Sequence, residues 1–257
     1  MPVSPHTDPD PATAGPGHSR YEVQGREVRL PVHIAHARAG MALMTAHADA
    51  VAADLPSGLA PVLLRPGRTV VALMAVRYVD NPLGDYDEGV VASVVRPAAD
   101  DDRDLASSLR DLLRGRQGLF VHHMPVSQAF TREAGERIWG LPKTVDPLDV
   151  RLSRRRAGVR WSREDGEVFE MVVPRGGRLA LPGQTACTYT LHDGVVWRTR
   201  LQLRGRGLRV GPGGARVRLG HHPIAERLRA WGVPGRALAS AWVEHASMDF
   251  AAAEPLR

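Results

Sequence analysis

"TACTYTLHDGVVWRTRLQL", residues 185–203, places two alternating runs around Asp193-Gly194. Successive side chains of a strand point to opposite faces, and Asp-Gly accepts the left-handed backbone of a two-residue hairpin turn. The stretch therefore predicts an antiparallel hairpin. The same period of two recurs on both sides of it. Before it come "EVRLPVHIA" (27–35), "RTVVALMAVRYV" (68–79), "DEGVVASVVRP" (87–97) and "GLFVHHMPV" (118–126). Next come "PLDVRLSRR" (147–155), "AGVRWSRE" (157–164) and "EVFEMVVPR" (167–175), and "RALASAWVEHASMDF" (236–250) follows the hairpin. Strands at this density, with turn residues between them, predict a mainly antiparallel α+β fold.

Two stretches break the period. "VSQAFTREAGERIWG" (126–140) repeats apolar residues at helical spacing through Ala129, Phe130, Ala134 and Ile138, with Ser127 as the expected cap. Gly140 and Pro142 predict where it stops. "HHPIAERLRAWG" (221–232) reads as a second helix, with Pro223 in its first turn and Gly232 past its end. Residues 98–118 form a polar excursion with a helical pattern in its middle, expected to be an insertion between two strands.

The first 20 residues hold five prolines and no leucine, isoleucine or aromatic side chain. Such a segment has too little apolar surface to offset its ordering entropy. Residues 1–24 are thus expected to be a disordered Pro-rich tail, and 25–257 a single domain. The chain shows neither a secretory signal nor an 18-residue apolar run, which predicts a cytoplasmic protein with no membrane partner. Its one cysteine, Cys187, excludes an intramolecular disulfide. The net charge of +6 raises nucleic acid as a partner, but the arginines are scattered, and the densest run alternates as a solvated strand face does. No nucleic-acid partner is expected.

Most motifs that suggest chemistry fail on geometry. His122-His123 and His221-His222 are adjacent residues, which on a strand face opposite ways, so neither pair readily gives two ligands to one metal. "GRGLRVGPGG" (205–214) does not sit between a strand and a helix, which argues against a dinucleotide site. No metal and no cofactor is implied.

Two stretches remain. Of 34 basic residues only one is a lysine, Lys143, in "GERIWGLPKT" (135–144). An arginine keeps its proton in proteins, whereas a lysine amine in apolar surroundings can lose it and become a nucleophile. Ile138, Trp139, Leu141 and Pro142 supply such surroundings. In "YVDNPLGDYDEGVV" (78–91) a turn at Asn81, Pro82 and Gly84 delivers Tyr86 and Glu88 to the start of an apolar strand. A carboxylate buried there needs a partner or a role.

"GERIWGLPK" resembles the lysine segment of the acetoacetate decarboxylase family, and "GDYDE" resembles that family's Gly-x-Tyr-x-Glu segment. The likeness extends over roughly residues 28–250. It implies an acetoacetate decarboxylase-like β barrel with flanking helices, a homo-oligomer, and a lyase that decarboxylates a small β-keto acid through a lysine imine. Lys143 would be the imine-forming amine and Glu88 the acid-base or orienting carboxylate. Met124, Trp139, Leu141 and Tyr86 would line the pocket, and Arg38 would stand for the arginine that meets the substrate carboxylate. Relatives in the same family act as aldolase-dehydratases on pyruvate or other 2-oxo acids, and a non-catalytic binding protein of this fold is a further alternative. The chain departs from the pattern at Thr144, where the family often has a second lysine, and at Leu73, where it places a second glutamate.

Overall fold

The computed structural model describes residues 15–98 and 117–256. Strands β1 (Arg20–Val23) and β2 (Arg26–Arg29) form a hairpin, followed by the long β3 (Val32–His47) and the short helix α1 (Ala48–Ala52). Next are β4 (Leu59–Pro61), β5 (Leu63–Arg65), β6 (Arg68–Tyr78), β7 (Tyr86–Pro97) and β8 (Gly118–Val126). Helix α2 (Ala129–Trp139) leads to β9 (Lys143–Val145), β10 (Leu148–Leu152), β11 (Arg156–Arg163) and β12 (Gly166–Pro174). The chain ends with β13 (Leu179–His192), β14 (Val195–Pro212), β15 (Arg216–Leu219), helix α3 (Pro223–Ala230) and β16 (Ala239–Pro255).

Strands β7, β6, β3, β16, β14, β13 and β8 pair in that order, and β8 pairs back onto β7. The sheet is thereby a closed seven-stranded barrel with few helices; the period of two predicts its antiparallel strands, and the family resemblance its closure into a barrel. The hairpin read at Asp193-Gly194 is β13–β14, and both turn residues have positive φ, 50° and 76°. A second sheet, β10-β11-β12-β15, covers part of the outer wall.

Two apolar layers result. One holds inward-facing residues such as Val76, Val90, Met124 and Met248, with α2 and the β1–β2 hairpin packed on it. The other lies between the barrel wall and the second sheet and includes Leu73, Val91, Trp161, Phe169 and Trp242. Strands β6 and β7 feed both layers, which is why their sequences are almost continuously apolar.

Order begins earlier than residue 25. Tyr21 and Val23 are fully buried, because Gln24 and Gly25, with φ of 48° and 72°, turn β1 back on β2 and press one face onto the first layer. Residues 1–14 of the expected tail, and 99–116 of the expected insertion, lie outside the described residues.

The two helices fall where expected, with different caps. Gln128 occupies the N-cap of α2 with no side-chain bond to the helix, and the Ser127 hydroxyl instead accepts the Asp87 N–H at 2.9 Å. In α3 the His222 Nδ1 accepts the Ile224 N–H at 3.1 Å.

Adjacent histidines His122 and His123 do not face opposite ways. Val91 pairs with His123 and Ala92 with Val121, leaving His122 as an extra bulged residue. Both rings consequently lie on the side of the second layer, His122 4.7 Å from Trp231 and His123 6.1 Å from Trp161.

Candidate active site

Helix α2 ends where its sequence says it should. Gly140 takes the left-handed conformation, φ 61°, its N–H donating to the Glu136 carbonyl at 2.9 Å, while Leu141 N–H reaches the Gly135 carbonyl at 3.1 Å. This paired closure ends a helix and turns the chain sharply. Lys143, two residues later, opens β9, which runs parallel to β8 with Met124 as its register partner.

Glu88 comes from the other neighbour of β8. It pairs with Val126 on β8 and Val76 on β6, on the inward face of the wall. The two strands flanking β8 so bring Lys143 Nζ to 2.7 Å from Glu88 Oε2, with side-chain exposures of 3% and 5%. The contact is a close ion pair lying off the axis of a hydrogen bond. Removing two ions from water costs several kcal/mol each, by order of magnitude, unless they meet each other.

Two tyrosines complete the cluster. Tyr78 donates its hydroxyl to Glu88 Oε1 at 3.0 Å, and the Tyr86 ring centroid lies 5.2 Å from Lys143 Nζ. The rings stack on each other at 4.4 Å. Burial first, then the charge of Glu88, pushes both phenols well above their ordinary range, so they remain donors at neutral pH.

The lysine stem lies along α2. A Cβ at Gly135 would stand 2.5 Å from Lys143 Cδ and 2.6 Å from Cε. Only glycine at that position lets the stem pass, although glycine inside a helix costs about 1 kcal/mol relative to alanine. Away from the barrel lumen, Asp146 ties β9 to the second sheet, accepting from Thr144 Oγ1 at 2.7 Å and Trp161 Nε1 at 3.0 Å, with Arg163 at 3.3 Å. Thr144 therefore serves that anchor.

Tyr86 and Met124 adjoin the lysine, while Leu141 and Trp139 share its apolar layer. Trp139 is also committed to β16, its Nε1 donating to the Ala251 carbonyl at 2.8 Å. Arg38 is not brought to the cluster. Its register partner is Arg77, whose partner is Asp87, all on the face opposite Val76 and Glu88, and its guanidinium sits 3.3 Å from Glu244. Leu73 is likewise on that outer face, fully buried in the second layer.

Tyr78 and Gly135 are members that the sequence reading did not name. Both left a signal: Tyr78 ends an alternating strand in phase with Val76, and Gly135 is a glycine inside a helical repeat, eight residues before the lysine.

The sequence matches the family described as acetoacetate decarboxylase over residues 16–251. No curated protein matches the chain. Among solved structures, the acetoacetate decarboxylase of Legionella pneumophila is similar, with a TM-score of 0.63, 14% identity, and 98% of this chain and 93% of that one covered. An acetoacetate decarboxylase-like enzyme from Sphingomonas wittichii RW1 gives 0.54 at 17% identity, covering 91% and 96%. The enduracididine biosynthesis enzyme MppR, complexed with pyruvate, gives 0.54 at 12% identity, covering 90% and 92%.

Proposed function

The chain belongs to the acetoacetate decarboxylase family, and on that premise we propose that it is a Schiff-base-forming lyase whose nucleophile is Lys143. The observation that carries this reading is the buried Lys143–Glu88 contact of 2.7 Å. An amine can attack a carbonyl only after giving up its proton, and Glu88 is the group within reach to take it.

The reaction proposed runs as follows. Neutral Nζ adds to the ketone of a β-keto acid, and Glu88 returns the proton to the carbinolamine hydroxyl, which leaves as water. The resulting iminium accepts the electron pair of the bond to the carboxylate, CO2 departs, and an enamine remains. A proton added at carbon and a water added at the iminium then release the ketone and free the amine. Tyr78, bonded to Oε1, orients the carboxylate with its other oxygen toward Nζ.

A second reading draws on the likeness to MppR, complexed with pyruvate. In either reading the Arg38 guanidinium, on the outer face beside Glu244, does not meet a substrate carboxylate at Lys143. The same iminium can lose an α-proton to Glu88 in place of CO2, and the enamine then adds to an aldehyde, as in an aldolase-dehydratase acting on a 2-oxo acid. Leu179 and Val210, 62% and 61% exposed at the far end of the β13–β14 hairpin, support assembly as a homo-oligomer. Among the described residues no helix is long and apolar enough to cross a membrane.

The test is borohydride reduction of the protein with acetoacetate or pyruvate. A lysine adduct blocks tryptic cleavage after Lys143 and leaves the peptide 138–151 joined, heavier by the reduced keto acid or its decarboxylated remnant. The remnant identifies decarboxylation, the intact acid supports the second reading, and an adduct only on the terminal amine rejects both.

A further inference from the structure

A cavity of about 540 Å3 opens on the β3–β16–β14 side of the barrel, lined by no residue of the lysine cluster. That volume lies within the range of about 300–1,000 Å3 typical of small-molecule sites. Leu181, Gly205, Ala246, Ala37, Tyr78 and Tyr86 are successive register partners around the wall. Gly205 and Ala246 belong to that row, and their chain neighbours point to the other face. Those neighbours are Arg204 and Arg206 on β14, partnered by Ser247 and His245 on β16, with His36 on β3 alongside. The imidazoles of His36 and His245 lie together, centroids 4.6 Å apart at 31°.

This cavity gathers cationic groups without an anion. No carboxylate lines it. Glu244, next in sequence to His245, is already committed, at 2.7 and 3.1 Å from Arg175, 3.3 Å from Arg38 and 2.9 Å from Trp242 Nε1. Those partners hold its carboxyl at about 2, so it stays ionised and spent on its own neighbours. Among the described residues the exposed side chains of Arg204 and Arg206 have neither an ion pair nor a hydrogen bond. His245 is pushed down by burial, then by His36, Arg206 and Arg38, with Glu244 opposing. Two exposed guanidinium groups on one face repel each other weakly through water, and a bound anion replaces that repulsion with attraction.

We propose that this cavity is a binding site for an oxyanion, the phosphate or carboxylate group of a small metabolite, held by Arg204 and Arg206 with the Ser247 hydroxyl and lying against the paired imidazoles. Forked guanidinium groups match both oxyanions.

Calorimetric titration of the full chain at low salt with inorganic phosphate and, separately, with citrate tests the site. The expected result is saturable binding of one of them, one per chain, weakened at least tenfold in Arg204→Gln/Arg206→Gln and unchanged in Lys143→Met. Whichever anion binds identifies the source. Ser247→Asp supplies the missing charge from within and should abolish binding while raising the melting temperature, so a failure of the double variant to fold still leaves a decision. Binding of neither anion, equal binding by the arginine variant, or binding only to single-stranded DNA with a steep salt dependence overturns the proposal. Borohydride trapping at Lys143 is scored independently, so this site and the lysine chemistry can fail separately.

Discussion

Gly135 lies under the stem of Lys143, so that a methyl group at its Cα would stand 2.5 Å from Cδ and 3.2 Å from Nζ. The Lys143 amine therefore owes its position to a residue on a different element that makes no polar contact with it. Gly135→Ala should reduce adduct formation by at least tenfold. Its helix propensity gain of about 1 kcal/mol keeps the domain folded, so trapping yield should fall while the melting temperature stays within a few degrees.

Lys143 and Glu88 form a buried pair, and removing one partner strands the other. Lys143→Met should cost about 3–5 kcal/mol of stability and abolish trapping. Adding Glu88→Gln to that variant should recover much of the stability and none of the activity. Urea denaturation of the two single variants and the double variant measures the coupling, and additive effects would contradict the pairing.

Tyr78→Phe deletes the hydroxyl that holds Glu88 Oε1. A hydrogen bond to a charged group contributes about 1.5–3 kcal/mol, so a stability loss of that order is expected. The orientation of the carboxylate should suffer more than the substrate's access to the lysine. Imine formation should accordingly slow roughly tenfold, about 1.4 kcal/mol, with KM little changed, as followed by single-turnover trapping.

The histidines behind the barrel wall predict acid lability. Burial, reinforced by neighbouring cations, lowers His122 to about 3 and His123 to about 4. Unfolded histidines take up protons near 6.5, so below that pH the unfolded state binds more protons than the folded one. Stability should then fall as the pH drops from about 6.5 toward 4, by up to about 1.4 kcal/mol per pH unit for each histidine. His123→Leu should flatten the decline measured by denaturant titration at successive pH values, and an unchanged slope would count against the assignment.

Much of this site was legible in one dimension. Lys143 and Glu88 could be singled out because one is the sole lysine and the other a carboxylate set at the start of an apolar strand. The strands of the wall were legible as well, since the alternation of β13 and β14 and the apolar runs of β6 and β7 are local properties of each strand. Helix α2 and its end carried their own signals in Ala129, Phe130, Ala134, Ile138 and Gly140. Ser127 misled, because its hydroxyl found the Asp87 N–H on another strand before it found its own helix.

What the sequence determined by itself, then, was the strand-rich class, the two helices and the choice of Lys143 and Glu88 as candidates, because periodicity, turn chemistry and residue type are written locally. Tertiary structure alone decided which face of a strand meets which neighbour. Register put Tyr78 on Glu88 and turned Arg38 toward Glu244, a single bulged residue swung His122 to the side of His123, and a tight hairpin drew Tyr21 into the core. Those outcomes depend on pairings between segments far apart in the chain, where a shift of one residue exchanges inside for outside.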